Sequence, residues 1–235
     1  MAQLHRVRTL DLTVSGPPWA FAEEKRAEIE AHFAKAREAK PAIWNGRVLL
    51  CRNPRAENGM HRAEYFETDF ASFLAWRDWA FPDKSVFNSF GSGALRSADG
   101  AFVLGHMSAH TANAGRIYFP AGTPDPNDVV DGRVDLALSI VREVEEEVGL
   151  EPSAYEPADD WTIVETGQVV ACVRLLQSRF SAAELQERIE AFIRSEASPE
   201  LSGVKLVRSK ADYDPQMPAF ITAFLDSQLA QVSLS

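Results

Sequence analysis

Residues 142–150 read Arg-Glu-Val-Glu-Glu-Glu-Val-Gly-Leu. Placed on a helix, Glu143, Glu146 and Glu147 stand at i, i+3 and i+4, so their carboxylates share one face. Like charges at that spacing destabilise an isolated helix by roughly 0.2–0.5 kcal/mol per pair. The crowding calls for a compensating cation. Oxygen-rich donor sets select hard divalent ions, Mg²⁺ or Mn²⁺. Arg142 adds a fixed cation able to hold one carboxylate in a chosen rotamer. A Glu-rich helix face is most often simply solvated, so the run gains meaning from what surrounds it.

The surroundings predict a helix in the right place. Leu136, Ile140, Val144 and Val148 recur every four residues and form a buried row opposite the carboxylates. Asp135 fits the N-cap and Gly149 the stop. A short strand at residues 117–119 ends at Pro120, and a polar loop at residues 123–133 carries several Asp. Before it, Asp99-Gly100 between apolar runs is a hairpin signal. After it, residues 161–164 and 168–176 read as paired strands around Thr166-Gly167. Residues 181–194 read as an amphipathic helix, 204–207 as a strand and 218–229 as a C-terminal helix.

The N-terminal part reads as a strand at residues 6–14, a solvated helix at 21–40, strands at 48–51 and 62–66, and a Trp-rich helix at 70–80. The Gly- and Ser-rich segment 88–93 is the best candidate for a boundary, hinge or strand lead-in. It lacks both the Gly-x-Ser-x-Gly elbow and the P-loop lysine. His106 and His110 are four apart without the Glu of a zinc motif. Trp76, Trp79 and Phe81 could stack a base, although aromatics at helical spacing are more often core.

Residues 142–150 resemble the second half of the box of the Nudix hydrolases, and Phe119-Pro120-Ala121-Gly122 resembles the strand end and loop start that precede it. The motif covers residues 119–150, and the order of elements extends the resemblance over about residues 90–235. It implies an α/β (α+β) fold: an α/β/α sandwich around a mixed sheet at 89–235, preceded by an accessory region at 1–88. It implies hydrolysis of the diphosphate linkage of a nucleoside diphosphate joined to another moiety, of the nucleotide-sugar or dinucleotide class. Carried over residue by residue, Glu143, Glu146 and Glu147 become ligands of Mg²⁺ (or Mn²⁺), together with the backbone carbonyl of Ala121 or Gly122. Arg142 orients one of the carboxylates. The general base would be a box Glu or a Glu on a later loop, where Glu196 and Glu200 are the candidates. Arg116 and His106 would border the substrate cleft, with Arg116 meeting a phosphate.

The chain departs from the family pattern at three places. The loop between Gly122 and Arg142 is longer, Ala121 replaces a Gly, and Val134 stands where an early Glu is usual. Asp131 and Asp135 are the nearest substitutes. These departures motivate a second reading, a Nudix-fold binding or regulatory module without turnover.

Composition narrows the partners. The 235 residues carry 24 Lys and Arg against 34 Asp and Glu, a formal net charge of −10. Phosphate backbones want a basic face, so a long nucleic acid is not expected. A small phosphorylated substrate remains compatible, because a bound metal inverts the local field. There is no apolar run of membrane-spanning length, and neither Cys51 nor Cys172 belongs to a Cys-x-x-Cys pair. A reducing, cytoplasmic setting follows as the expectation, with a homodimer as a candidate assembly.

Overall fold

The alternating N-terminal segment is not one strand but two, because the chain bends at Arg8. In the computed structural model, which describes residues 2–41 and 43–232, β1 (Gln3–Val7) and β2 (Thr9–Val14) join different parts of the sheet. Then come α1 (Ala20–Glu24), α2 (Arg26–Ala39), β3 (Arg47–Glu57), β4 (Met60–Asp69) and α3 (Phe70–Asp78). Asp69 caps α3 by accepting from the Ser72 backbone N–H at 2.8 Å. The next strands are β5 (Val86–Arg96), β6 (Phe102–Met107), β7 (Ile117–Tyr118) and β8 (Ala121–Gly122). A small hairpin, β9 (Val129–Val130) with β10 (Arg133–Val134), leads into α4 (Leu136–Val148). The chain ends with β11 (Tyr155–Thr166), β12 (Val169–Ser178), α5 (Ala182–Ser195), β13 (Leu201–Val207) and α6 (Ala219–Val232).

The main path through the sheet runs β1-β11-β12-β5-β3-β4-β2-β10-β9 and is mixed, since β5 lies parallel to β12 and antiparallel to β3. Residues 88–93 are therefore neither a hinge nor a lead-in but the middle of β5. Their small side chains have a packing reason. A Cβ on Gly91 would stand 3.0 Å from the Leu136 carbonyl oxygen, and one on Gly93 would stand 3.0 Å from Ile140. Helix α4 lies directly on this strand, and only glycine admits it so closely. Successive residues of a strand face opposite sides. Phe90 accordingly points to the other face, where its ring meets Phe220 of α6 with centroids 5.5 Å apart. Helices thus cover both faces of the sheet, which is the α/β/α layering.

The division expected at residue 88 would fall inside β5, where the strand changes partner. Val86 and Phe87 pair with β3, whereas Asn88 onward pairs with β12. The strand runs through the division without a linker, and β1 forms an edge beside β11. The N-terminal helices α2 and α3 pack on one another around Ile29, Phe33, Leu74 and Ala75. Trp76 is fully buried with Trp19, Phe66 and Phe73. No helix among the described residues is long and apolar enough to cross a membrane.

One core group carries a stability prediction. His61 on β4 has no exposed surface, and neither ring nitrogen makes a well-formed hydrogen bond among the described residues, the Arg55 backbone being its nearest polar influence. Burial lowers its pKa from 6.5 to about 4, with His5 adding to the effect and the Arg55 backbone opposing it. The unfolded chain therefore takes up a proton between about pH 6.5 and 4 that the native state refuses. Stability falls as pH drops through that window, by about 2 kcal/mol from this group at pH 5. Thermal unfolding of the parent and of His61→Leu is expected to diverge in pH slope between pH 7 and 5, with the variant flatter. Parallel slopes would refute the assignment.

Candidate active site

Helix α4 is built to hold a polar face in a fixed place. Asp135 caps it, accepting from the Ala137 and Leu138 N–H groups at 3.0 Å each. Gly149 ends it in the left-handed region at φ 65°. Leu136, Ile140, Val144 and Val148 are all buried against the sheet. The polar side of the helix meets the short strand β8, which the ladder Gly91↔Gly122 and Ser92↔Ala121 ties to β5.

Two of the three carboxylates turn inward there. Glu143 lies against Gly122 so closely that a Cβ at that position would collide with its carboxylate. A side chain at position 122 would push that carboxylate aside. Glu147 is 5% exposed, faces the Ala121 backbone N–H, and has no cation paired with it among the described residues. Burial, with Glu146 and Glu200 beside it, pushes the Glu143 carboxyl up to about 7 despite the pull of Arg142. Burial and then Glu143 and Glu200 push Glu147 well above the ordinary carboxylate range. Glu146 lies on the exposed rim and acts on its neighbours through its charge.

Arg142 does more than reach one carboxylate. Its guanidinium meets Glu143 at 3.1 Å, Asp128 at 3.0 Å and Asp125 at 3.5 Å. The Asp128 side chain is almost wholly buried and also accepts from the Asp125 backbone N–H at 3.0 Å. Burial still raises the Asp128 carboxyl, although Arg142 pulls it down. The long loop after Gly122 therefore folds back to clamp Arg142. Neither expected substitute for the early Glu is free for that role. Val134 is core, Asp135 is committed to capping, and Asp131 occupies the β9–β10 turn at φ 50°. Sequence reading missed Asp125 and Asp128. Their spacing around Pro126, three apart as in a capping box, was the available signal.

The later candidates separate. Glu200, just before β13, is electrostatically coupled to Glu143, Glu146 and Glu147. Burial and then Glu146 raise its carboxyl, while His110 opposes. Glu196 sits exposed at the C-cap of α5 and is not among the groups acting on the inward pair. Tyr118 stands beside Glu147: burial and then that charge raise its hydroxyl, which accepts from Asn113 Nδ2 at 3.1 Å.

Next to the acidic pair opens a cleft of about 1030 Å³, lined by Tyr118, Ala121 and Gly122 and by residues of α3. Arg116 lines it and is exposed, with no acidic partner among the described residues. Lys40 and Arg77 also line it but are engaged, Lys40 with the Thr111 carbonyl and Arg77 with Asp78 and Asn113. His106 belongs to β6, in register with Ile117 and Gly203, and is not part of the cleft wall.

Among the described residues, no group of three or more His, Cys, Asp or Glu stands arranged to hold a metal ion. The donor chemistry nevertheless fits a hard divalent cation. Glu143 and Glu147 are inward-turned oxygen donors, Glu143 in close contact with the Gly122 backbone, and the Arg142 guanidinium is already shared among three carboxylates. A buried carboxylate without a counter-charge is costly, and a cation removes that cost.

No family model matches the chain, and no curated protein matches it. Among solved structures it is similar to a MutT protein from Methanosarcina mazei Go1, at 17% identity and a TM-score of 0.41, over 63% of this chain and 96% of that one. It is also similar to RenU, a Nudix hydrolase from M. smegmatis, at 14% identity and a TM-score of 0.38, over 62% of this chain and 84% of that one.

Proposed function

We propose that this chain is a metal-dependent pyrophosphohydrolase of the Nudix type. Its substrate would be a nucleoside diphosphate joined to a second moiety, cleaved within the diphosphate. The observation that carries this reading is the inward pair Glu143 and Glu147, packed on Ala121–Gly122 beside the cleft that Arg116 lines. Glu147 has no cation of its own among the described residues, and Glu143 has only a share of Arg142. Glu143, Glu146 and Glu147 would hold the ion, with the carbonyl of Ala121 or Gly122. A bound Mg²⁺ or Mn²⁺ supplies charge neutralisation at the diphosphate and a lowered pKa for an attacking water.

The remaining work falls to side chains. Arg142, held by Asp125 and Asp128, keeps Glu143 in one rotamer. Arg116 binds a non-bridging phosphate oxygen. Glu200 takes the proton from the attacking water, whose oxygen bonds to phosphorus as the bridging P–O bond breaks. A raised carboxyl pKa suits a general base working near neutrality. Glu200 is preferred to Glu196 because of the two only Glu200 is coupled to the acidic pair.

The test is turnover with Mg²⁺ or Mn²⁺ over nucleotide sugars, dinucleotides, coenzyme A and nucleoside triphosphates, monitored by release of monophosphates. Cleavage of at least one nucleoside diphosphate derivative, abolished by chelator, is expected. Tight binding of one member with no turnover of any would replace the hydrolase by a binding module.

A further inference from the structure

We infer that the Tyr118 hydroxyl is a directed hydrogen-bond donor for a diphosphate oxygen, its direction set by Asn113 and, through it, by Arg77 of the N-terminal region. The identity of the ligand rests on the hydrolase reading, and the direction of the donor on separate bonds. Arg77, Asn113 and Tyr118 all line the cleft.

Donor and acceptor roles fix the direction. Arg77 Nη1 meets Asn113 Oδ1 at 3.4 Å. A guanidinium carries no acceptor, so it can face only the carbonyl oxygen of the amide. The amide nitrogen is thereby turned to the other partner, and Asn113 Nδ2 donates to Tyr118 Oη at 3.1 Å. A phenol that accepts at its oxygen keeps its own hydrogen for another partner. Tyr118 Oη makes no other hydrogen bond among the described residues. The residue is 7% exposed, and a buried polar group ordinarily finds a partner, so this unused donor is one that a ligand would satisfy. Glu147 is the charge that acts most strongly on the hydroxyl, ahead of Glu200 and Glu143. The free hydrogen therefore lies on the acidic side of the cleft, where the diphosphate would sit.

The parts of this relay are themselves held. Arg77 Nε donates to Asp78 Oδ1 at 3.1 Å, and Asp78 Oδ2 meets His32 of α2 at 3.0 Å. Lys40 donates to the Thr111 carbonyl in the loop that carries Asn113. The Ser108 N–H donates to the Glu200 carbonyl at 2.7 Å, and its hydroxyl to the Pro199 carbonyl at 2.8 Å. The Asn113 carbonyl accepts from the Arg116 N–H at 3.0 Å. Loop 108–116 is thus fastened both to the N-terminal helices and to the segment carrying Glu200. It sets Arg116 and the Tyr118 donor together. Tyr118 would touch the substrate, whereas Asn113 and Arg77 are positioning residues.

Calorimetry on the full chain with Mg²⁺ and inorganic pyrophosphate tests this without requiring turnover. Tyr118→Phe removes only the donor. It should weaken pyrophosphate about ten- to hundredfold, the loss expected for a hydrogen bond to a charged acceptor. The affinity for Mg²⁺ alone should stay within about twofold, and the melting temperature should not change. Asn113→Asp is the sharper variant. A carboxylate keeps a partner for Arg77 but can only accept, so Tyr118 must turn its hydrogen toward position 113 and away from the ligand. That variant should match Tyr118→Phe. Added to Tyr118→Phe, it should cost less than about twofold more, because both act on one hydrogen. A loss below tenfold in Tyr118→Phe, a parent that does not bind pyrophosphate, or losses that multiply in the double variant would overturn the inference. So would a fall in Mg²⁺ affinity as large as that for pyrophosphate, which would make Glu147 the acceptor. Weakened pyrophosphate without turnover of any substrate would sink the hydrolase reading and leave this one. Turnover with pyrophosphate binding untouched by Tyr118→Phe would do the reverse.

Discussion

Glu147→Gln is expected to lower kcat by at least about 100-fold while leaving the metal-free protein as stable as the parent or more so. The rate loss follows from removing a charged oxygen where electrostatic stabilisation is concentrated, since deleting one such group commonly costs that much. The stability effect has the opposite sign for a reason specific to this site. Burial, Glu143 and Glu200 raise the folded-state pKa of Glu147 above its unfolded value. Ionised Glu147 therefore costs stability, and that cost grows as pH rises from about 4.5 toward the folded pKa. Glutamine removes the charge, keeps the volume, and still accepts from the Ala121 N–H. Added Mg²⁺ separates the effects further. At one hundred times its Kd an ion stabilises the native state by about 2.7 kcal/mol, or roughly 5–10 °C for a chain of this size. The parent should show that shift in a thermal melt and the variant much less. A variant with turnover within tenfold of the parent would remove Glu147 from the mechanism.

Arg142→Met is expected to cost about 3 kcal/mol of stability and to lower kcat/KM by about 10–100-fold. The side chain is 27% exposed, but among the described residues it is the only cation on Asp128, whose side chain is 2% exposed. Removing one member of such a pair leaves a buried charge behind, which costs roughly 3–5 kcal/mol in a full interior. Partial exposure of the arginine places the cost at the lower end, a fall of roughly 6–12 °C in Tm. Activity falls because Glu143 loses the contact that sets its rotamer, and outer partners of metal ligands typically contribute that factor. Combining Arg142→Met with Asp128→Asn should recover most of the stability and none of the activity. If the two substitutions simply add in stability, Arg142 and Asp128 are not coupled.

Much of the helix that carries the acidic run was legible. The apolar repeat at 136, 140, 144 and 148, the Asp135 cap and the Gly149 stop are local devices, and the helix spans Leu136–Val148 as they require. The hairpin at Asp99-Gly100 and the strands around Thr166-Gly167 were legible for the same reason. Residues 88–93 were not. Their glycines look like a hinge, yet they exist because α4 crosses β5 at close range, a contact between segments far apart in the chain. The polar loop 123–133 likewise gave no sign that Asp128 would be buried beneath Arg142.

The sequence by itself determined that three carboxylates and an arginine would share a helix end, because helical spacing and capping depend only on neighbours within a turn or so. Tertiary structure alone decided where each of them points and what surrounds it. It turned Glu143 and Glu147 inward and left Glu146 at the rim. It brought Glu200 rather than Glu196 to the pair, and Phe81 rather than Trp76 or Trp79 to the cleft. Burial and electrostatic coupling depend on what the rest of the chain places nearby. No spacing rule along the sequence carries that information.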